Sequence, residues 1–172
     1  MFTSNRTIKW IENLAEQELL IKAGEKVSID ICTTKDEVLT VESATFVRDL
    51  FYHFEYLVQL FNARVNQPSL QIKLMRLGEQ VDGFSLFRNK MKLVLSRPQP
   101  GVVQLQCDKL LLDENSRPSK TSMMFSGLIE AKFGTFNDVE WYFLGSRITA
   151  EQVARHYLTE FIQVSRALTE IV

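Results

Sequence analysis

Three stretches of the chain place apolar residues every three or four positions, the spacing that predicts amphipathic helices. The first stretch lies between Ser4, a candidate N-cap, and Gly24, a candidate stop. Its apolar residues at helical spacing are Ile8, Ile11, Ala15 and Leu19. We therefore expect an N-terminal helix that lies on a surface with one side buried.

The central stretch is more apolar than an ordinary surface helix. It is predicted to begin at Ser43 or Thr45 and to end at Asn66. Its main stripe consists of Val47, Leu50, Phe51, Phe54, Leu57, Val58, Phe61 and Val65, and the stripe is extended around the helix by Phe46, Tyr56 and Leu60. A helix that is apolar over most of its circumference must be covered on more than one side. This helix is either the centre of the domain or partly a contact surface for a partner chain.

The C-terminal stretch begins with Thr149-Ala-Glu-Gln152, the pattern of a capping box. The apolar stripe that follows contains Val153, Tyr157, Phe161, Val164 and Leu168. These features predict an amphipathic C-terminal helix.

Two segments near the start of the chain have strand-like patterns. Val27, Ile29 and Ile31 alternate with polar residues, which indicates a half-buried strand. Residues 38–42 are ambiguous, because Thr34-Lys-Asp-Glu37 resembles a helix-starting capping box, whereas Val38-Leu-Thr-Val41 is rich in β-branched residues. We favour a second strand and a hairpin here.

Residues 70–144 read almost entirely as antiparallel strands and turns. One hairpin is predicted with its tip at Arg97–Gly101 and a second about Gly134–Asp138. A polar loop at 113–120 is the best candidate for a mobile segment. Helices separated by hairpins predict an α+β fold in which an antiparallel sheet of about five to seven strands, flat or strongly curved, accompanies the three helices. Because no linker divides the chain, we expect one domain over residues 1–172.

Charge is distributed unevenly along the chain. Residues 67–111 carry seven Lys/Arg against three Asp/Glu, a net +4, although the whole chain has a net charge of −1. An anionic partner is one interpretation, with Lys73, Arg88, Lys90 and Lys92 as contacts. We favour the alternative, in which long cations line the solvent face and the edges of a sheet. The chain lacks both the basic character and the module of a nucleic-acid-binding protein, so no such partner is expected.

No motif of a known chemistry is present. The chain has no phosphate-binding glycine loop, no nucleophile elbow and no zinc-ligand spacing, so we assign no catalytic residue, metal ligand or cofactor. His53 and His156 each have a carboxylate four residues away, for which an ordinary surface ion pair is the favoured interpretation. Cys32 and Cys107 lie in strand patterns, where reduced thiols are the common state.

The expected location is the cytoplasm. The N-terminal residues lack the pattern of a signal peptide, and no apolar run reaches the length of a membrane span.

Three functions stay open, and the leading one is a non-catalytic binding or adaptor protein that contacts a protein partner or a second copy of itself. A chaperone-like role is one form of it. The second is a carrier that holds an apolar small molecule between a curved sheet and the C-terminal helix. The third is an enzyme whose site has no motif and uses His53, His156, Asp30 or Cys107. Across these hypotheses the candidate binding residues are Phe46, Tyr56, Leu60, Trp141, Tyr157 and Phe161.

The order of the predicted elements is similar to that of helix-grip ligand carriers. It is also similar to that of the small acidic chaperones of bacterial secretion systems. Neither similarity is carried by motif residues, so no family is assigned.

Overall fold

The computed structural model of the chain describes residues 5–23, 35–78, 82–112, 118–136 and 138–166. The chain divides into two compact units, residues 1–35 and residues 36–172. In the first unit the structure describes helix α1 (Asn5–Lys22), whose apolar residues Ile8, Ile11, Ala15 and Leu19 are exposed. The predicted strand at 27–31, together with Asp30 and Cys32, lies outside the described residues.

Helix α2 spans Lys35–Val65 and begins earlier than expected. The hairpin strand predicted at 38–42 is wrong, because these residues form the first turns of α2, as the competing capping-box interpretation required. Within these turns Leu39 lies beside Gly101, whereas Val41 is 63% exposed. Ser43 is fully buried, and its hydroxyl accepts a hydrogen bond from the Gly101 amide at 2.6 Å, which anchors this end of α2 to a hairpin tip.

Seven described strands form one antiparallel sheet in which each strand pairs with the next along the chain. In chain order they are β1 (Lys73–Arg76), β2 (Gly83–Arg88), β3 (Met91–Gln99), β4 (Val102–Leu112), β5 (Pro118–Phe133), β6 (Val139–Phe143) and β7 (Ser146–Ile148). The sheet is strongly curved into a half-barrel, so the predicted α+β class is confirmed. Both predicted hairpin tips are present, between β3 and β4 and between β5 and β6.

The inner face of the sheet carries the core. Alternate residues of each strand point to this face and pack against α2 and against α3 (Ala150–Arg166). The largest side chains that are fully buried there are Phe54, Phe84, Phe161, Leu50, Leu86, Met91, Leu93, Leu95, Leu105 and Ile129. Phe54 of α2 meets Phe84 of β2 edge to face, with ring centroids 5.2 Å apart. This apolar layer holds both helices on the sheet.

The predicted capping box begins α3. The Thr149 amide donates to Gln152 Oε1 at 2.9 Å, and the Gln152 amide donates to Thr149 Oγ1 at 3.3 Å. Further along, the Tyr157 ring lies directly over Gly127 of β5, where any side chain would collide with the tyrosine hydroxyl. The cap sets where α3 begins, and the glycine lets its buried face approach the sheet.

Two boundaries differ from the prediction. Strand β5 begins at Pro118, so the last three residues of the predicted 113–120 loop are strand, and 113–117 lie outside the described residues. Strand β7 was not predicted, because three residues are too few to show a periodicity. The expectation of a single domain stays a prediction.

Candidate functional site

The outer face of α2 exposes an apolar ridge. Tyr52, Tyr56 and Leu60 are 53%, 62% and 49% exposed, although the opposite face of the same helix is buried. Their spacing of four residues places the three side chains next to one another along the helix. We call these three residues the outer stripe.

Charged residues lie at both ends of the outer stripe. Arg48 and Asp49 precede it and Arg64 follows it, and all three are exposed. The ion pairs that the structure describes join Arg97 to Asp82 and Arg147 to Glu140, so they involve none of these three side chains. The stripe is therefore an apolar centre with a charged rim, which is the usual composition of a protein contact surface.

The predicted binding residues fall into two groups. Tyr56 and Leu60 belong to the outer stripe, whereas Phe46, Trp141, Tyr157 and Phe161 are buried in the core. Phe46 stacks on Trp141 with ring centroids 4.2 Å apart and an interplanar angle of 11°. The structure therefore brings two of the six candidates to one surface. Tyr52 was missed, although its position four residues before Tyr56 was a usable signal.

The space between the sheet and α3, where the carrier hypothesis would place a ligand, is occupied by core side chains. Phe84, Leu93, Leu105 and Phe161 are fully buried and belong to one continuous apolar cluster, which Phe143 joins as a half-buried member. This packing is typical of a filled interior.

A groove of about 360 Å³ lies between α2 and the edge strand β1. Its apolar lining includes Phe51, Val58, Ile72 and Leu74. At one end the Asn62 carboxamide bonds both backbone groups of Ile72, donating to the carbonyl oxygen and accepting from the amide, each at 2.9 Å. Asn62 therefore takes the place of a neighbouring strand beside Ile72 and protects this part of the sheet edge.

A shallow depression of about 320 Å³ lies on the outer face of α3. Its lining residues, all from this one helix, are Gln152, Arg155, His156, Thr159 and Glu160. A histidine and a carboxylate therefore line the same depression, but no described hydrogen bond or ion pair joins them. His53 lies half-buried on α2 and does not line this depression.

The Cys107 thiol is unsuited to nucleophilic chemistry. The residue is fully buried, and burial together with the neighbouring Asp108 raises the pKa of the thiol to about 12. The thiolate is the reactive form, and it is disfavoured at neutral pH. Within the described ranges, no three His, Cys, Asp or Glu side chains are grouped so that they could hold a metal ion.

The four predicted anion contacts do not form one patch. Arg88 points into the core, where it donates to the carbonyl oxygens of Leu70 and Ile162 and to the Ser165 hydroxyl at 2.9, 3.2 and 3.0 Å. Burial and the nearby Arg166 lower its pKa. Lys73 and Lys90 are exposed, and Lys92 lies over the Phe87 ring on the outer face of the sheet. Arg88 thus tethers the end of α3 to β2, a role that composition alone did not reveal.

No protein-family model, curated protein or solved structure matches this chain. None of the helices in the described part of the chain is both long and apolar enough to cross a membrane.

Proposed function

We propose that this chain is a non-catalytic binding or adaptor protein that contacts another protein through the outer stripe of α2. One observation carries the proposal: Tyr52, Tyr56 and Leu60 form an exposed ridge on a helix whose opposite face is already buried in the core. About half or more of each of these side chains is in contact with water instead of with the core. Association with another surface would remove it from water and gain free energy.

The residue types of the stripe support the same role. Tyrosine is enriched in protein interfaces because it offers a large apolar ring with little rotamer entropy to lose and a hydroxyl that can stay in contact with water. Two tyrosines one helical turn apart provide adjacent anchors of this kind. The charged rim of Arg48, Asp49 and Arg64 supplies orientation and attraction at longer range.

The chemistry of the described titratable groups favours binding over catalysis. Cys107 is held protonated in the core, and the depression that contains His156 is formed by one helix without a second element to present a substrate. A catalytic site needs reacting groups held in place from more than one direction.

Site-specific photo-crosslinking tests the proposal. A photoreactive amino acid is placed at position 56 and, as the matched control, at Gln163, an exposed residue on the outer face of α3. We expect position 56 to yield a covalent adduct to a protein that mass spectrometry identifies, and position 163 to yield none. Binding of the purified identified protein is then measured by calorimetry, where Tyr56→Ser should weaken it by about tenfold or more. The absence of any adduct at position 56 would refute the proposal.

A further inference from the structure

We infer that the partner of the outer stripe is a second copy of this chain, which binds with its α2 antiparallel to the first about a two-fold axis. The inference rests on the proposed function, since it names the occupant of the same surface. A two-fold interface requires a surface that is complementary to itself. The charges around the stripe meet this requirement.

Asp49 and Arg64 flank the outer stripe, seven residues before and eight residues after its middle residue, Tyr56. They are 15 residues apart, which corresponds to about 22 Å along a helix axis, and their midpoint falls between Tyr56 and Leu57. In an antiparallel pair centred on this midpoint, Asp49 of each copy faces Arg64 of the other. Two symmetric ion pairs then flank the apolar centre. Within one chain the same two side chains are too far apart to interact.

The size of the stripe sets the expected strength of the contact. The exposed parts of Tyr52, Tyr56 and Leu60 amount to on the order of 350 Å² per chain, against about 800 Å² per partner in a standard interface. Neighbouring residues of α2 must supply the rest of the contact. We therefore expect a reversible dimer with a dissociation constant in the micromolar range, about 1–100 µM.

A charge-swap experiment tests the inference on the full chain. Sedimentation equilibrium at low salt is measured for the wild type, Asp49→Arg, Arg64→Asp and the double variant D49R/R64D. Each single variant opposes like charges twice in the dimer, so we expect the dissociation constant to rise by about tenfold or more. The double variant restores opposite charges across the interface, and its dissociation constant should return to within about threefold of the wild type. Circular dichroism checks that all variants fold.

Arg155→Asp is the matched control, because Arg155 is an exposed cation on the outer face of α3. It should leave the dissociation constant unchanged. The inference is overturned by a wild type that is monomeric at every concentration, by single variants without effect, or by a double variant that is not restored. The proposed function has a separate outcome. An adduct from position 56 to a different identified protein would support the proposed function and refute the dimer. A monomeric wild type that forms no adduct would refute both the proposed function and the dimer.

Discussion

Helices α2 and α3 pack on the same face of the same sheet but differ on their outer sides. Within Ala150–Arg166 no large apolar side chain is exposed, and the outward residues include Arg155, His156 and Thr159. Within Lys35–Val65 the exposed side chains include Tyr52, Tyr56 and Leu60. Both helices nevertheless bury aromatic residues against the strands, Phe54 from α2 and Phe161 from α3.

This difference shows which apolar residues of the two helices the fold needs for packing and which it does not. Helix α3 shows that a helix on the inner face of this sheet needs one apolar side and tolerates a polar one outside. The apolar residues outside α2 are therefore in excess of the requirement for packing. An exposed apolar ridge of this kind supports the contact surface that we propose.

The largest expected loss of stability comes from a substitution on the buried side of α2. Phe54 is fully buried and its ring contacts Phe84. We expect Phe54→Ala to lower the free energy of unfolding by about 3–5 kcal/mol, because it removes apolar contact area and leaves a cavity. Chemical denaturation monitored by circular dichroism measures the change. A loss below about 1 kcal/mol would mean that the two faces of α2 differ less than their burial indicates.

The buried side of α3 depends on a glycine of the sheet. A Cβ atom at Gly127 would collide with the Tyr157 hydroxyl, and Tyr157 is too buried to move aside freely. We expect Gly127→Ala to cost about 1–3 kcal/mol in the free energy of unfolding, as overpacked cores do. Adding Tyr157→Phe should recover part of that loss, because it removes the colliding oxygen. A double variant no more stable than Gly127→Ala would show that the collision is not the cause.

High pH should destabilise the core beneath α3. Burial raises the pKa of Tyr157 from 10.0 to about 12, and burial with the neighbouring Asp108 raises the pKa of Cys107 from 9.0 to about 12. Both groups titrate at lower pH in the unfolded chain than in the folded chain. Stability is therefore complete below pH 9 and falls between pH 9 and 12, by up to about 1.4 kcal/mol per pH unit for each group.

Urea denaturation at a series of pH values measures this dependence. Cys107→Ala should flatten the fall between pH 9 and 10, where the thiol titrates in the unfolded chain before the tyrosine does. Tyr157→Phe is the companion variant and should flatten the fall only above pH 10. An unchanged slope in both variants would assign the alkaline loss to other residues.

The sequence was sufficient for the elements that have strong local signals. The capping box at Thr149, the hairpin tip at Arg97–Gly101 and the long stripe of α2 each follow from residue types a few positions apart. The wrong prediction at 38–42 falls where two local signals conflict, and Ser43, the next residue, bonds to the distant Gly101. Such contacts join residues far apart along the chain, which periodicity does not detect.

The candidate site was only partly predictable for the same reason. The sequence pattern places Phe46, Tyr56 and Leu60 together around the main stripe of α2. Phe46 is buried because Trp141, almost a hundred residues later in the chain, stacks against it, whereas Tyr56 is 62% exposed. The sequence pattern places Arg88 among several surface cations, but the end of α3 encloses it. Burial depends on tertiary packing, so sequence alone did not separate these residues.

The smallest expected effect is that of a substitution on the outer stripe. Its size, set against that of Phe54→Ala, measures how far the two faces of α2 differ in their contribution to stability. Tyr56→Ser removes a ring that is 62% exposed, and tyrosine and serine have similar helix propensities. At protein concentrations below the dissociation constant of the dimer, we expect the free energy of unfolding to change by less than about 0.5 kcal/mol. Well above that concentration the wild type should gain stability from association, which the variant lacks. Denaturation at both concentrations measures this difference. A loss above about 1 kcal/mol in the dilute sample would contradict the proposal, since it would make Tyr56 part of the fold rather than of a contact surface.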